Sequence, residues 1–283
     1  MATALYRDLL YEGSRRLSDA RAGDTPYLDA VILLSFTSGK SREKLMASLP
    51  DPCPESTAES FYSALSEREK GTPIAYITGV KEFYGRNFLV EPGILIPRPD
   101  TETAVDAALA LCDAGLPDYP ILDLCSGSGC IGITIKAERP DREVILADIS
   151  DQALAVSARN AEVLLGYQLK QYRSDLLTDI PGRFSLIISN PPYLTSAEMR
   201  ESSLVEAGEP ELALEAGEDG LDIIRRVVAM GFDKVVKKGY LIIECGYRQG
   251  RDVYRLLQER GFGECGIRHD LGNRERVVIG RKV

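Results

Sequence analysis

Four residues of the sequence, Asn190-Pro191-Pro192-Tyr193, bring a side-chain amide, an unusual backbone and an aromatic ring to one place. They follow an apolar run, residues 184–189, that has the composition of a buried strand. Each proline lacks a backbone N–H and fixes its own φ, so the strand ends there and its last carbonyls have no ladder partner. The cluster suits a planar –NH2 group, which has two hydrogens to donate and a face to stack on. A proline-rich turn without chemistry is the alternative.

A second cluster of candidate ligand-binding residues surrounds an upstream turn, Asp123-Leu-Cys-Ser-Gly127-Ser-Gly129-Cys-Ile-Gly132. Its glycines match G-x-G-x-x-G, a pattern typical of turns that join a strand to a helix in nucleotide-binding sheets. The next apolar run closes on Asp148, 19 positions after Gly129, where such sheets bind ribose hydroxyls. The spacing predicts a ligand with an adenosine ribose.

Two adenosine cofactors fit this pattern, NAD and S-adenosylmethionine. NAD places its pyrophosphate against glycines and a helix N-terminus, whereas S-adenosylmethionine has no phosphate and carries a sulfonium cation. Asp123 would repel a pyrophosphate and would suit a cation, although a plain capping role is its alternative. The chain has one histidine, His269, and no residue stands out as the acid or base of a hydride transfer. The residues favour S-adenosylmethionine and leave NAD open.

The combination of Asp-x-x-x-Gly-x-Gly, a second-strand acid and Asn-Pro-Pro-Tyr resembles the class I methyltransferases that act on planar amino groups. Further blocks are similar to the HemK/PrmC family, the protein-(glutamine-N5) methyltransferases of peptide chain release factors. These blocks are Thr72–Gly79, Glu82–Gly85, Leu95–Glu102, Glu209-Pro210, Ala213-Leu214, Asp219–Leu221, and Asp270 with Asn273–Val278. The resemblance covers about residues 26 to 283.

The resemblance implies a class I methyltransferase fold: a doubly wound, mostly parallel α/β sheet of seven strands with one antiparallel strand, plus a small N-terminal helical bundle. It implies S-adenosylmethionine as cofactor, bound by Asp123, Cys125, Ser126, Gly127, Ser128, Gly129, Asp148, Asp175, Leu176 and Asn190. It places the glutamine substrate at Leu95, Asn190, Pro191, Pro192 and Tyr193. Catalysis is expected from Asn190 and Pro191, whose oxygens accept the two amide N–H bonds, and from Tyr193, which covers the amide face.

Two positions depart from the family pattern. Cys125 stands where a glycine is common, and Leu176 stands where some members have an aromatic residue. These departures bear on the backbone of the glycine-rich turn and on the stacking of adenine. Two other functions share the motif: an adenine-N6 methyltransferase of DNA or RNA, and a catalytically silent methyltransferase fold that serves as an interaction module.

Charge and composition limit the partners of the chain. The net charge is −9, and no basic groove for nucleic acid is visible, so we expect release factors as partners and no direct nucleic-acid binding. Residues 201–224 contain eight acids and neither Lys nor Arg, which predicts either a solvated loop or a docking surface. The six cysteines form no C-x-x-C pair, so no metal site is expected. No apolar run reaches the roughly 18 residues of a membrane span, and we expect a cytoplasmic protein.

The chain is predicted to divide into a helical substrate-docking domain at 1–80, a hairpin linker at 81–100 and a methyltransferase domain at 101–283. In the first region, Pro26 is expected to begin a helix, and a capping box at 56–59 is expected to open another that runs through Lys70. In the linker, Pro92-Gly93 predicts a hairpin over 87–96.

From residue 119 onwards, apolar runs and helical patterns alternate, which is typical of a parallel, doubly wound sheet. Strands are predicted near 120–124, 143–148, 168–173, 184–189, 239–245, 264–269 and 275–281. Helices are predicted near 100–111, 129–138, 151–164, 220–236 and 249–260. A turn of two residues, Gly272-Asn273, separates the last two strands, so one of them must run antiparallel.

Overall fold

The computed structural model describes residues 4–202, 204–205 and 207–283. The chain divides into two units, Met1–Val80 and Lys81–Val283. Glu206, one of the acids of the 201–224 segment, lies outside the described residues. Within the part of the chain that is described, no helix has both the length and the apolar character needed to cross a membrane.

The first unit consists of helices around an apolar core. It contains α1 (Tyr6–Asp19), α2 (Pro26–Ser38), α3 (Arg42–Ala47), α4 (Glu55–Glu69) and α5 (Ile74–Thr78). Buried side chains between these helices include Leu9, Leu17, Leu33, Leu34, Leu45, Phe61 and Leu65. Gly13 allows α1 to approach α4, because a Cβ there would lie 2.6 Å from Phe61 Cζ. An ion pair of 2.8 Å between Asp29 and Arg68 joins α2 to α4.

Helix α2 begins at Pro26, as the sequence predicts, but the predicted start of α4 is wrong. Helix α4 begins at Glu55, directly after Pro54, and no side chain caps it. The φ of Pro54, −55°, already suits entry into a helix. Ser56 therefore lies inside the first turn, where its carbonyl accepts a hydrogen bond from Ser60 Oγ (2.9 Å), and the capping box does not form.

A short hairpin opens the second unit, and its position differs from the prediction. Strands β1 (Val80–Phe83) and β2 (Arg86–Leu89) are joined by Tyr84 and Gly85, with φ of 51° and 72°. Two consecutive positive φ angles are what a two-residue hairpin turn requires. Pro92-Gly93 forms a separate turn closed by Ile94 N–H and Glu91 C=O (3.1 Å). The predicted hairpin over 87–96 does not form, since the backbone N–H of Gly93 donates to Gly208 C=O instead (2.9 Å).

The core of the second unit is a seven-stranded sheet with the order β5-β4-β3-β6-β7-β9-β8. Its strands are β3 (Ile121–Leu124), β4 (Val144–Asp148), β5 (Lys170–Arg173), β6 (Phe184–Ser189), β7 (Val235–Glu244), β8 (Gly263–His269) and β9 (Glu275–Arg281). The first four ladders are parallel, and β9 runs antiparallel to both β7 and β8. The short β8–β9 connection permits only this arrangement, so the predicted antiparallel strand is the last one.

Helices cover both faces of the sheet. They are α6 (Glu102–Asp113), α7 (Cys130–Glu138), α8 (Asp151–Leu165), α10 (Asp222–Lys234) and α11 (Gly250–Arg260), while the short α9 (Ser196–Glu201) in the segment after β6 has no buried residue. One apolar core contains residues of α6, α7 and α8, and the other contains residues of α10 and α11. Neighbouring strand residues such as Ile121 and Leu122 enter opposite cores, which explains why these strands are continuous apolar runs. The predicted doubly wound α/β fold is confirmed.

The register of the parallel strands brings their carboxyl ends to one edge. Asp123 pairs with Leu146 of β4 and with Ile188 of β6, and Ser189 at the end of β6 pairs with Ile243 of β7. The segments that follow β3, β4 and β6 therefore lie side by side. Doubly wound sheets bind their ligands at this edge.

A substitution at Gly132 would test how closely α7 packs against the sheet. A Cβ at this position would lie 2.4 Å from Leu146 Cδ2 and 2.9 Å from Asp123 Cβ. We expect Gly132→Ala to lower the free energy of unfolding by about 1–3 kcal/mol, measured by urea denaturation, because it overpacks the core. Gly266→Ala on β8 is the matched control, since no atom lies within 4 Å of its Cβ position. Equal stability of the two variants would contradict the packing argument.

Candidate active site

A cavity of about 310 Å³ lies at the carboxyl ends of β3, β4 and β6. Its wall contains ten of the residues predicted from the sequence: Leu95, Cys125, Ser126, Gly127, Ser128, Asp148, Asp175, Leu176, Asn190 and Pro192. Asp123, Gly129 and Pro191 are buried next to residues of this wall. The structure thus brings the predicted positions together, and their roles stay predictions.

A smaller cavity of about 80 Å³ adjoins the first. It is lined by Leu95, Arg98, Asn190, Tyr193, Leu194, Leu204, Ala213 and Leu214. Four of these residues, Leu95, Arg98, Asn190 and Ala213, line both cavities. Asn190 therefore stands where a ligand in the large cavity would meet a side chain that enters the small one.

Hydrogen bonds hold two carboxyl groups beside the glycine-rich turn. Asp148 accepts from the backbone N–H of Gly127 (2.8 Å) and of Ser150 (2.9 Å). Asp123 accepts from Gly132 N–H through Oδ2 (2.8 Å), while its buried Oδ1 has no hydrogen-bond partner among the described residues. A Cβ at Gly127 would have no atom within 4 Å, so the turn leaves space beside Asp148. The Asp148 carboxyl beside that space suits a ligand with hydroxyl donors, and Asp123 lies buried next to the wall.

Two residues of the cavity wall have a left-handed backbone without being glycine. The φ of Cys125 is 60° and that of Leu176 is 52°. Such conformations cost about 1–3 kcal/mol each and are concentrated at functional sites. Cys125, which stands where a glycine is common in the family, therefore adds strain to the turn, because a glycine would adopt the same backbone without this strain.

Burial governs the charges of the cavity wall. It raises the pKa of Asp123 to about 7, helped by the charge of Asp148 and opposed by the Gly132 N–H. Burial also raises the pKa of Asp148, against the N–H groups of Ser150 and Gly127. The pKa of Cys125 rises to about 12 for the same reason, so its thiol is neutral at physiological pH.

Asp175 and Leu176 are the residues that the resemblance places beside adenine. Both line the large cavity. Asp175 also forms an ion pair of 2.7 Å with Arg226, another charged residue of the wall, which is not predicted from the sequence. The carboxylate is therefore held by α10 as well as by its own turn.

The segment Asn190–Tyr193 is held from both ends. Asn190 Nδ2 donates to Thr101 Oγ1 (3.3 Å), which leaves the opposite amide atom, Oδ1, for the cavities. The backbone carbonyl of Tyr193 accepts from Gln249 Nε2 (3.0 Å). Burial raises the pKa of the Tyr193 hydroxyl above its usual range, so the ring stays uncharged.

A buried carboxylate joins the linker to the loop that follows the motif. Glu209 accepts from the backbone N–H of Ile96 (3.2 Å) and pairs with Arg98 (2.5 Å). Its side chain is only 1% exposed. Glu209 is therefore part of the site architecture. The segment 201–224 is predicted from the sequence to be either a solvated loop or a docking surface, and a solvated loop does not describe this residue.

Besides Arg226, three polar residues that shape the site are not predicted individually from the sequence. Arg98 and Thr101 fall inside the Leu95–Glu102 block, so their presence in the block was the available signal. Gln249 carried none, since its contacts are with backbone groups: Nε2 also faces the carbonyls of Asp219 and Gly220, and Oε1 accepts from Gly246 N–H.

Both units of the chain match families of known proteins. The PrmC N-terminal domain matches residues 8–79, and the Methyltransferase small domain matches residues 103–210. The release factor glutamine methyltransferase of Salmonella typhimurium is 34% identical and covers 98% of both chains. The enzyme of the same name from Cereibacter sphaeroides is 39% identical, over 93% of this chain and 94% of its own. The chain belongs to the release factor glutamine methyltransferase (HemK/PrmC) family.

A solved structure supports the fold of this family member. A methyltransferase from Pyrococcus furiosus matches with a TM-score of 0.51 at 13% identity, over 71% of this chain and 90% of that one. At this identity the likeness concerns the fold alone. The family and the fold class predicted from the sequence are both confirmed.

The variant Asp123→Asn tests the raised pKa of Asp123, because that shift makes the free energy of unfolding depend on pH. Because burial raises the pKa of Asp123 from 3.8 to about 7, the folded state binds more protons than the unfolded state in that interval. Stability present below pH about 4 is lost as the pH rises through about 7, and the variant escapes this loss. We expect the unfolding free energy of wild type to fall relative to Asp123→Asn by roughly 1–3 kcal/mol between pH 4 and 7.5, in urea denaturation.

Asp118→Asn, at an exposed position, is the control for that experiment. Its unfolding free energy should follow the wild-type pH curve. A constant difference between wild type and Asp123→Asn at every pH would contradict the raised pKa.

Proposed function

We propose that this chain transfers the methyl group of S-adenosylmethionine to the side-chain amide nitrogen (N5) of a glutamine in peptide chain release factors, in their Gly-Gly-Gln loop. Membership of the release factor glutamine methyltransferase family supports the proposal. The structural observation that carries it is the position of Asn190, which lines both the large and the small cavity. A cofactor in the first and a glutamine side chain in the second would meet there.

The large cavity fits S-adenosylmethionine better than NAD. Its volume of about 310 Å³ lies in the range of small-ligand sites. The open space at Gly127 offers room for the ligand. The Asp123 carboxyl, whose Oδ1 has no hydrogen-bond partner among the described residues, would favour a positive charge nearby. Asp148 would accept the ribose hydroxyls, and Leu176 with Asp175 would flank the adenine. Asp123 and the turn residues Cys125, Ser126, Gly127, Ser128 and Gly129 would hold the remainder of the cofactor.

The chemistry needs an amide nitrogen to act as a nucleophile although resonance delocalises its lone pair. Bound S-adenosylmethionine supplies an electrophilic methyl group. Asn190 Oδ1 and the Pro191 carbonyl would accept the two N–H bonds of the substrate amide, which would fix its plane and direct its lone pair towards the methyl donor. Tyr193 covers the amide face, while Pro192 and Leu95 complete the glutamine site. Positioning of this kind can supply roughly 7–11 kcal/mol. The bond from sulfur to the methyl carbon would break as the nitrogen–carbon bond forms, the neutral thioether S-adenosylhomocysteine would leave, and the nitrogen would give its extra proton to water.

The proposed substrate also assigns roles to the parts of the chain and a location to the reaction. The helical region 1–80 would dock the release factor, the hairpin linker 81–100 would connect it, and residues 101–283 would carry out the transfer. A protein substrate and a net charge of −9 fit a chain that does not bind nucleic acid directly. Release factors act in translation, so we place the reaction in the cytoplasm.

A labelling experiment tests the substrate class. Labelled S-adenosylmethionine is offered with a purified release factor, with its Gly-Gly-Gln variant in which Gln is replaced by Ala, and with DNA and RNA. We expect label on the intact release factor alone, because the site is built for a glutamine amide. Label on nucleic acid would replace the proposal with adenine-N6 methylation, and no label with any substrate would favour the silent interaction module.

Asn190→Ala tests the amide clamp, the pair of acceptors formed by Asn190 Oδ1 and the Pro191 carbonyl. We expect a loss of turnover of at least about 100-fold, the cost of removing one preorganised group that acts in the transition state. Circular dichroism and thermal unfolding check that the variant is folded. Asn87→Ala, at an exposed position of β2, should keep wild-type turnover. Near-normal turnover of Asn190→Ala would refute the clamp.

A further inference from the structure

Glu244 is the last residue of β7 and is fully buried. The parallel register places Ser189 opposite Ile243, so the next residues along the two strands, Asn190 and Glu244, lie level with each other. Asn190 Nδ2 donates to Thr101 Oγ1 (3.3 Å). Thr101 and Asn190 both face the Glu244 carboxyl and favour its charged form. These three polar side chains form a cluster behind the cavity wall.

Glu244 has no obvious structural purpose in this position. Neither of its oxygens has a hydrogen-bond partner within the described residues. Arg276, which faces it from β9, instead forms ion pairs with Asp100 (2.8 Å) and Asp270 (3.3 Å). A buried carboxyl without such partners lowers stability, so its presence calls for another role.

The groups around Glu244 set its protonation. They are Arg276 on β9, Asp100 ahead of α6, Tyr193 after β6, Cys130 on α7 and Cys245 after β7. Burial keeps the tyrosine and both thiols neutral by raising their pKa values. Burial also raises the pKa of Glu244 to about 7, against Thr101, Arg276 and Asn190 and with the help of Asp100. The carboxyl therefore changes charge near neutral pH.

The direction of the hydrogen bonds decides what the charge does. A side-chain amide can flip, and only one orientation of Asn190 presents Oδ1 to the substrate N–H. The hydroxyl of Thr101 can donate or accept, so by itself it holds neither orientation. An ionised carboxylate only accepts. The structure holds no hydrogen bond to Glu244 among the described residues, but the ionised carboxylate can accept one from the Thr101 hydroxyl that faces it. Once that bond forms, Oγ1 can only accept from Asn190 Nδ2, and Oδ1 is left for the substrate.

We propose that Glu244 is a positioning residue which, through the Thr101 hydroxyl, keeps Asn190 Oδ1 turned towards the substrate amide; this inference rests on the proposed function. The protonated carboxyl can donate to Thr101, and the amide of Asn190 is then free to flip. The active orientation is therefore favoured when Glu244 is ionised.

The first test measures kcat for release factor methylation against pH at saturating S-adenosylmethionine, which separates Glu244 from the cofactor site and its acid Asp123. Wild-type kcat should rise about tenfold per pH unit below about 7 and then level off. Glu244→Gln should lower kcat about 10- to 100-fold, the worth of a charged hydrogen bond, and remove this pH dependence. The KM for the release factor should change by less than about threefold, because binding is not the step affected.

Variants of Thr101 and a matched control complete this test. Thr101→Ser keeps the hydroxyl and should retain most of the turnover, whereas Thr101→Val should behave like Glu244→Gln. Glu275→Gln on the neighbouring β9 should leave the wild-type profile unchanged. A Glu244→Gln variant with wild-type kcat, or with the same loss of turnover at low pH, would overturn the proposal.

The second test follows the orientation of Asn190 without turnover. The side-chain NH2 signal of Asn190 in nitrogen-15 NMR spectra, assigned by its loss in Asn190→Ala, should shift with a midpoint near pH 7 in wild type. It should stay constant in Glu244→Gln and in Thr101→Val. If no label appeared on the release factor, the proposed function would fail. The NH2 signal would still report the orientation of Asn190 in that case. A signal that does not titrate in wild type, or titrates equally in Glu244→Gln, would overturn the positioning role.

Discussion

The candidate site depends on the register of four parallel strands. Because β3, β4, β6 and β7 end at the same edge, residues far apart in the sequence become neighbours at that edge. The ladder bonds stop there, and Pro191 and Pro192 prevent β6 from continuing. Polar atoms at the edge then need partners other than a strand, and the glycine-rich turn, the Thr101 hydroxyl and Gln249 provide some of them. A slip of one residue in any ladder would send these side chains to the wrong face.

The same edge contains features that lower the stability of the fold. Cys125 and Leu176 have left-handed backbones, and Asp123 and Glu244 are fully buried carboxyl groups. Two apolar cores, one on each face of the sheet, offset these costs. A site of fixed shape and charge is compatible with such strain only because the surrounding helices leave the backbone no room to relax.

Much of the fold could be predicted because the central strands β3, β4 and β6 are short, buried apolar runs. The fully buried β6, all six of whose residues are inside, is an example. The hairpin was misplaced because Pro92-Gly93 is the stronger turn signal in the sequence, whereas the actual turn uses Tyr84 in a backbone that tyrosine rarely adopts. Site residues at strand ends were predictable from topology. The contacts of Thr101 and Gln249 are not predictable in this way, since they join separate segments: the Leu95–Glu102 block marks Thr101 without giving its partner, and nothing in the sequence marks Gln249.

The buried pairing of Glu209 with Arg98 and with the Ile96 backbone has an evolutionary consequence. Glu209 belongs to the loop after the motif, and its partners belong to the linker more than one hundred residues earlier. Loss of the guanidinium alone would leave an uncompensated charge in the interior, which is among the most damaging single changes a protein can undergo. Positions 98 and 209 are therefore expected to change together or not at all across the family. This coupling would tie the divergence of the linker to that of the loop, even where both are otherwise free to vary.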